Sequence, residues 1–436
     1  MFSNDLFDGL DLLANVGTTG LVAMLWYLII FEIPRYGLSF LSLALLPFRA
    51  GQARLRSTRH EQIGQSLALQ SKPVPVSVLV VGHSEAEALE NCIDSLRAQS
   101  FSQFEIVVVS DGSRDAMVDV AERLLRGGKI DKLLSTDLRC GKSAGVNLAV
   151  RAATGDLLVN VDCDCSYDRF AIERILARFS DPTVGAVSGD IIPRNANSSL
   201  ISALQTIEYL LSISLAKRAA NTLEQVVCVS GAFGAFRRSA LASIGGLDPG
   251  GAEDLDLTMR MRSRGWRIRF EPEAICYTDV PHTAWSLVRQ RLRWERDSVR
   301  VRFRKHKREL SPFAKNFRSS ETFHQVDFLL FHVLFAFVFP VYLAFMWLAF
   351  GHNAMFLLIA VQVVALMLDC LAFVIAIAIT GRWHSFGMCA YLPAYSLYTS
   401  VFMRLVRLWA YIDEWAFDSS RKDSYVPERV AHSRQW

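Results

Sequence analysis

Leu157-Leu158-Val159-Asn160-Val161-Asp162-Cys163-Asp164-Cys165 is the stretch on which the fold turns. Leu157, Leu158, Val159 and Val161 are apolar and partly β-branched, as a strand buried on both faces should be. The run then ends in two aspartates with one residue between them. At an extended strand end residues i and i+2 point the same way, so Asp162 and Asp164 are expected to converge on one divalent cation. Carboxylate oxygens suit Mg²⁺ or Mn²⁺, ions that keep positions open for phosphate oxygens. A plain turn after a strand would also explain aspartate here. Cys163 and Cys165 alternate with the acids and read as core thiols.

Upstream, Val76–Val81 is a second buried run, followed by Gly82-His83-Ser84-Glu85 and a helix pattern through Leu89, Cys92, Ile93 and Leu96. Glu105–Ser110 is a third, ending in Asp111-Gly112-Ser113, with a helix pattern to Leu125. Strands and helices alternating at this spacing predict right-handed crossovers, a parallel sheet and an α/β fold. Ligands of such sheets bind at the carboxyl ends of the strands. Those ends carry Glu85, Asp111, Asp162 and Asp164. No Gly-rich phosphate loop follows the first strand, which argues against a dinucleotide enzyme or a P-loop ATPase.

Further motifs follow in order. Lys142, after Gly141, opens a helix whose N-terminus favours anions, so it is a candidate phosphate contact; a solvated lysine beside a turn glycine is the plainer reading. Val229–Gly234 is small and strand-like, suiting close backbone approach to a ligand. Gly251-Ala252-Glu253-Asp254-Leu255-Asp256 opens a helix with acids in its first turn. Dipole compensation explains such acids, and in a pocket one of them could act as a general base. Gln290-Arg291-Leu292-Arg293-Trp294 lies on a helix pattern with Gln290, Arg293 and Trp294 on one face.

The chain has 436 residues, 51% of them apolar, and a net charge of +4, too small to argue for nucleic acid. Eight scattered cysteines show no zinc-type spacing and fit a reducing interior. Apolar residues concentrate at the two ends. One span is expected over roughly 13–33, then an interfacial or short segment over 36–48, then a basic linker from Arg49 to Lys72 with Arg54, Arg56 and Arg59. Basic residues beside a span mark the cytoplasmic side. Residues 328–350, 354–380 and 386–403 are each long enough to span, and 281–300 and 313–326 read as interface helices. Three spans would put the C-terminus outside, whereas Arg404, Arg407, Arg421 and Lys422 argue for inside. Either 386–412 does not fully cross or one apolar run hides a turn. Asp369 is a lone acid within a span.

Together Asp111 in SDGS, Asp162-Cys163-Asp164, Glu253-Asp254 and Gln290–Trp294 resemble the membrane-integrated, processive family-two glycosyltransferases. These are the synthases of cellulose, chitin, hyaluronan and poly-N-acetylglucosamine. SGAFGAFRRSAL (230–241), FEPEAICYTDVP (270–281) and QRLRW (290–294) are most similar to bacterial poly-N-acetylglucosamine synthases. The resemblance implies a GT-A type, Rossmann-like α/β domain with a mostly parallel sheet, flanked by transmembrane α-helices. The implied division is 1–50, an N-terminal transmembrane or interfacial segment; 75–300, a cytoplasmic glycosyltransferase domain; and 301–436, interface helices and C-terminal spans.

By the same resemblance, Glu85 and Asp111 line a uridine pocket, and Asp162 and Asp164 hold Mg²⁺ or Mn²⁺ and the diphosphate. Lys142 is a phosphate contact. Asp254 is the general base, with Glu253 next in line. Gln290, Arg293 and Trp294 bracket diphosphate and acceptor sugar. The implied partners are a UDP-sugar (UDP-GlcNAc or UDP-glucose), a growing β-linked exopolysaccharide and membrane lipid, with room for an accessory membrane or periplasmic subunit and no nucleic acid. The implied location is the bacterial inner membrane. Three departures stand out: Ala252 where the family has Thr, His83-Ser84 before Glu85, and the acids Glu295 and Asp297 after Trp294, near the start of the acceptor channel. The competing readings are a non-processive transferase that adds one sugar to a lipid carrier, an inactive membrane scaffold that keeps the fold, and a transporter without synthesis.

Overall fold

β1 (Val76–Gly82) is buried along its whole length, and β2 (Glu105–Asp111) at all but its first residue. Such β-branched runs form the centre of a parallel sheet. The computed structural model of the protein describes residues 17–34, 74–311, 313, 319–422, 427 and 430. The expected segment 36–48, the basic linker 49–72 and the start of the expected first span lie outside the described residues. The remaining strands are β3 (Lys132–Thr136), β4 (Leu157–Asp162), β5 (Ser166–Tyr167), β6 (Val184–Pro193), β7 (Phe233–Arg237) and β8 (Arg267–Thr278).

They form one sheet in the order β3-β2-β1-β4-β7-β6-β8-β5. β1 runs parallel to both neighbours, with Val78 opposite Ile106 of β2 and Val159 of β4. β7 is antiparallel to β4 and to β6, and β6 and β8 are parallel. The β3 strand escapes the hydrophobic pattern because it is a short edge strand, partly exposed and of mixed polarity. The small run at 229–234 becomes a strand only from Phe233, and the residues before it form a loop.

Alternation along the strands sorts the helices to two faces. α1 (Thr18–Tyr27) stands apart from the sheet. Val78, Val80, Ile106, Val108, Val159 and Val161 face α2 (Ala86–Arg97), α3 (Met117–Arg126) and, further on, α5 (Ala171–Ala177). Leu79, Val81, Val107, Val109 and Leu158 face α4 (Lys142–Ala152), α8 (Arg238–Ser243) and α9 (Glu253–Ser263). Between these come α6 (Leu200–Tyr209) and α7 (Ala216–Thr222), and after them α10 (Ala284–Arg300).

The C-terminal part begins with α11 (Ser319–Phe328) and a π-helical turn, Leu329–Leu334, that runs into α12 (Phe335–Phe350). The helical stretch Glu321–Thr380 is long and apolar enough to cross a membrane. Gly351, at φ 54°, breaks it, and α13 (Ala354–Thr380) folds back on α12 around Met346, Ala354 and Leu357. α1 packs beside this pair. Tyr27 stacks against both Phe335 and Tyr342 at 4.9 Å, and its hydroxyl donates to Phe335 O at 2.9 Å. The outer face is apolar and exposed, with Val341 at 62% and Leu348 at 86%. Both ends return to the sheet domain: Glu321 pairs with Arg262 at 2.6 Å, and Arg382, just after α13, pairs with Asp190 at 2.7 Å. Asp369 is buried on α13.

The third expected span, 386–403, is not one apolar helix. Trp383–Tyr391 is a 3-10 helix, and α14 (Leu392–Leu397) runs through a π turn into α15 (Met403–Phe417). This last helix carries Arg404, Arg407, Asp413 and Glu414, paired with Glu32, Glu295, Arg296 and Arg304. It lies along α10, where Arg407 and Asp413 meet Glu295 and Arg296, and its apolar side (Val406, Ala410, Tyr411) packs on Phe328, Val333 and Ala336.

Candidate active site

β4 ends at Asp162, and Cys163 and Asp164 form a turn closed by Cys165 N–H on Asp162 O at 3.3 Å. The alternation expected from an extended strand is therefore produced by a turn. Its outcome is the same: Cys163 and Cys165 are buried, and Asp162 and Asp164 face outward.

Lys142 opens α4, and its Nζ donates to Asp162 Oδ1 at 2.5 Å and lies 3.8 Å from Glu253 Oε1. The loop before it is fastened by Asp111. One Asp111 oxygen accepts from Cys140 N–H at 2.7 Å and the other from Gly141 N–H at 2.6 Å. Thus Asp111 aims α4, and through it Lys142, at the end of β4. The neighbouring cavity, about 320 Å³, is lined by His83, Gly112, Ser113, Arg114, Asp137, Leu138 and Arg139. It sits beside the ends of β1 and β2, where strand-end ligands are expected.

Glu85 precedes α2 over Gly82, where an added Cβ would come 2.8 Å from Glu85 Oε2. Burial, then the charges of Asp164 and Asp162, push its carboxyl up to about 7. Its Oε2 has no hydrogen-bond partner among the described residues. Three carboxylates thus face one ammonium, a surplus of negative charge that fits a divalent cation held by Asp162 and Asp164. Among the described residues no group of three or more His, Cys, Asp or Glu side chains is already gathered for a metal. Such an ion would take its other ligands from phosphate and water.

Gly231 closes the group. Its N–H donates to Asp254 Oδ2 at 3.3 Å, and its carbonyl accepts from Asn160 Nδ2 at 2.8 Å. A Cβ there would stand 3.2 Å from Lys142 Nζ, 3.6 Å from Asp254 Oδ2 and 3.7 Å from Glu253 Oε1. Any larger residue would crowd the Lys142 ammonium and the Glu253 and Asp254 carboxylates. Glu253 and Asp254 start α9 after Ala252, which is left-handed at φ 51°. Burial raises the Glu253 carboxyl, the Lys142 ammonium opposes that, and Asp254 adds to it, leaving it at about 7.

On α10, Gln290 and Arg293 are half-buried and Trp294 is 39% exposed. Gln290 Oε1 is buried with no hydrogen-bond partner among the described residues. Arg291, which the motif reading passes over, is buried. It pairs with Glu208 of α6 at 2.7 Å and lays its guanidinium 4.6 Å from the centre of the Trp294 ring. Tyr398 donates to the same Glu208 carboxylate at 2.8 Å. The one sequence signal for Arg291 is a basic residue next to Leu292 on the apolar side of the helix. Trp285 is 60% exposed, and Phe303 packs against Phe328. Asn160 is another member that sequence alone left without a role, and Gly231 belongs to the run expected to let backbone approach a ligand closely. The structure therefore gathers Lys142, Asp162, Gly231, Glu253 and Asp254, with Glu85 and Asp164 alongside. α10 reaches this group through Arg300, which donates to Gly251 O at 2.9 Å.

Residues 73–296 match the family described as "Glycosyltransferase like family 2". Over 233 residues, 52% of this chain and 56% of its counterpart, the sequence is 31% identical to a poly-beta-1,6-N-acetyl-D-glucosamine synthase of Staphylococcus aureus (strain COL). Over 249 residues, 54% of this chain and 58% of its counterpart, it is 31% identical to an N-acetylglucosaminyltransferase of Rhizobium meliloti (strain 1021). The chain spans little more than half the length of these curated relatives. Among solved structures, the mannosyltransferase PcManGT from Pyrobaculum calidifontis, in complex with GDP-Man and Mn²⁺, is similar at TM-score 0.53 and 23% identity, over 80% of this chain and 99% of that one. That likeness is one of fold, and the fold is the GT-A type.

Proposed function

Since this chain belongs to glycosyltransferase family 2, we propose that it is an inverting, processive transferase that moves sugar from UDP-GlcNAc or UDP-glucose onto a growing β-linked exopolysaccharide. The observation that carries the reading is Lys142, whose ammonium lies between the Asp162 carboxylate and Glu253, the neighbour of Asp254. Donor-side and acceptor-side chemistry thereby share one small volume.

In this reading the uridine occupies the cavity beside His83 and Arg114, with Glu85 and Asp111 ordering its inner wall. Asp162 and Asp164 would hold Mg²⁺ or Mn²⁺, which when bound would neutralise charge on the diphosphate. Lys142 and Arg293 approach the same phosphates, the latter through a fork that matches their oxygens. Gln290 and the flat face of Trp294 hold the acceptor sugar. Asp254 takes the proton as the acceptor hydroxyl attacks the anomeric carbon. The bond to the phosphate oxygen breaks with its electron pair on UDP, inverting the centre. Glu253 stands next in line for the proton.

We further propose that the segment expected over roughly 13–33, of which α1 is part, and the hairpin of α12 and α13 within Glu321–Thr380 cross the bacterial inner membrane while residues 75–300 stay cytoplasmic. Support comes from the two ion pairs that tie both ends of Glu321–Thr380 to the sheet domain. Support also comes from the exposed apolar face of α12 and α13. The helix from Leu392 to Phe417 then lies at the interface, and the C-terminus returns to the cytoplasmic side.

The test is purified protein in proteoliposomes with its sheet domain outward, given each UDP-sugar. Polymer should accumulate inside and resist an added polymer-degrading enzyme, and EDTA should stop synthesis. Addition of single sugars only would favour the lipid-carrier transferase. Polymer that stays degradable outside would assign export to another subunit.

A further inference from the structure

Asp297 is one of the acids whose presence after Trp294 the sequence leaves unexplained, and α10 buries it. Arg300, one turn on, is 1% exposed, and its Nη2 donates to Asp297 Oδ1 at 2.8 Å and to Gly251 O at 2.9 Å. Gly251 stands two residues before Glu253. A Cβ added to it would fall 1.8 Å from Asp297 Oδ2, so the loop is pressed directly onto the carboxylate. The next residue, Ala252, holds the left-handed φ of 51° that turns the chain into α9. That conformation is costly for a residue with a side chain and persists only where its surroundings enforce it.

The grip continues beyond α10. Lys305 places Nζ 2.6 Å from Asp248 Oδ2 and 2.8 Å from Asp256 Oδ1, and His306 Nε2 lies 2.8 Å from the same Asp256 oxygen. The loop 248–252 and the first turn of α9 are thus held on both sides of Glu253–Asp254 by a single continuous segment. That same segment carries Gln290, Arg293 and Trp294. A buried Arg–Asp pair is an expensive way to pack two elements, since apolar residues of the same volume do as well or better. What the pair adds is direction, because the two in-plane N–H groups of one guanidinium nitrogen, Arg300 Nη2, fix a backbone carbonyl and a carboxylate relative to each other.

We propose that Asp297 and Arg300 are positioning residues that set the placement of the Glu253–Asp254 pair relative to the acceptor-binding face of α10. The inference rests on Asp254 as the base and on α10 as the acceptor platform. Neither residue touches substrate; both act through Gly251.

The experiment uses the full chain in detergent with two readouts, amide hydrogen exchange and transfer from UDP-N-acetylglucosamine and from UDP-glucose. In Asp297→Asn, exchange over 249–256 should run about tenfold faster, with β1 and α2 unchanged. Its kcat should fall about 10- to 100-fold, with donor KM within about twofold of wild type. Gly251→Ala should lose both yield and turnover. Adding Asp297→Ala to it should restore yield by removing the clash, but not turnover. Unchanged loop exchange in Asp297→Asn overturns the proposal, as does faster exchange with normal kcat. A donor KM that rises in step with the loss of kcat would mean general structural damage and also overturns it. If wild type transfers from neither donor, the functional reading fails first, and the exchange result still decides whether the clamp exists.

Discussion

Lys142 Nζ lies 2.5 Å from Asp162 Oδ1, so an ammonium already rests on a carboxylate assigned to a metal. A divalent cation bound there would compete with Lys142 for one charge. Lys142→Gln should therefore bind Mn²⁺ about three- to tenfold more tightly, measured by the loss of the free-ion EPR signal. The KM for the UDP-sugar should rise about tenfold, because the diphosphate loses a cationic partner. Weaker Mn²⁺ binding in the variant would show that Lys142 supports the metal instead of opposing it.

Asp254 and Glu253 sit on the same turn but in different surroundings. Asp254 accepts from Gly231 N–H and Leu255 N–H, whereas Glu253 faces Lys142. Asp254→Asn is expected to keep UDP binding and lose about 10²–10⁴ in turnover, the range for a lost general base. Glu253→Gln should lose less. The reverse ranking in single-turnover kinetics would move the base to Glu253.

Arg291 stacks on Trp294 while its charge is met by Glu208. Arg291→Lys keeps the charge and loses the flat face, so it should raise acceptor KM about fivefold with donor KM unchanged. Arg291→Met leaves the Glu208 carboxylate with only the Tyr398 hydroxyl and should destabilise the protein by roughly 2–4 kcal/mol in thermal unfolding. Adding Glu208→Gln should recover much of that stability. A double variant no more stable than Arg291→Met would show that the pair is not coupled.

Glu105, at the opposite end of the sheet from the site, offers a pH test free of catalysis. Burial pushes its carboxyl up. Hydrogen bonds from Ser77, Lys132 and Thr154 outweigh that and hold it at about 2, below its ordinary 4.5. A depressed acid stabilises the fold above its unfolded pKa, and that contribution fades as pH falls from about 4.5 through about 2. The side chain is 15% exposed, and with solvent screening we expect roughly 1–2 kcal/mol rather than the full linkage value. Glu105→Gln should thus lower the unfolding temperature at pH 7 and converge on wild type near pH 2. An offset independent of pH would assign the effect to shape.

The sheet centre was legible because buried parallel strands advertise themselves as unbroken β-branched runs, as at Val76–Val81 and Leu157–Val161. The acids were legible because they stand where such strands and α9 stop or start. What stayed hidden depends on who faces whom. β3 lacks a pattern because an edge strand is only half covered. Asp111 reads as a ligand, yet the loop at Cys140 and Gly141 takes up both its oxygens. Arg291 and Glu208 lie 83 positions apart, and nothing local marks either as the other's partner. Asp297 was visible as an oddity, but its reason is a glycine backbone in another element. For 386–412 the sequence leaves two readings open, because Arg404 and Arg407 stand just past the apolar run and nothing local shows that Glu32 and Glu295 are their partners.

That first pair has a consequence in time. Glu32, 6% exposed at the end of the helical stretch begun by α1, is neutralised by Arg404, 372 positions later. A ribosome makes the acid early and its counter-ion near the end. Until Arg404 emerges, the carboxylate has no buried charge to meet, and seating it in an apolar bundle is costly. α1 can therefore wait at the water-facing rim while the sheet domain folds, and take its final place only when the last long helix arrives. In this protein the first of the described helices is locked by one of the last, so assembly closes from the back of the chain toward the front.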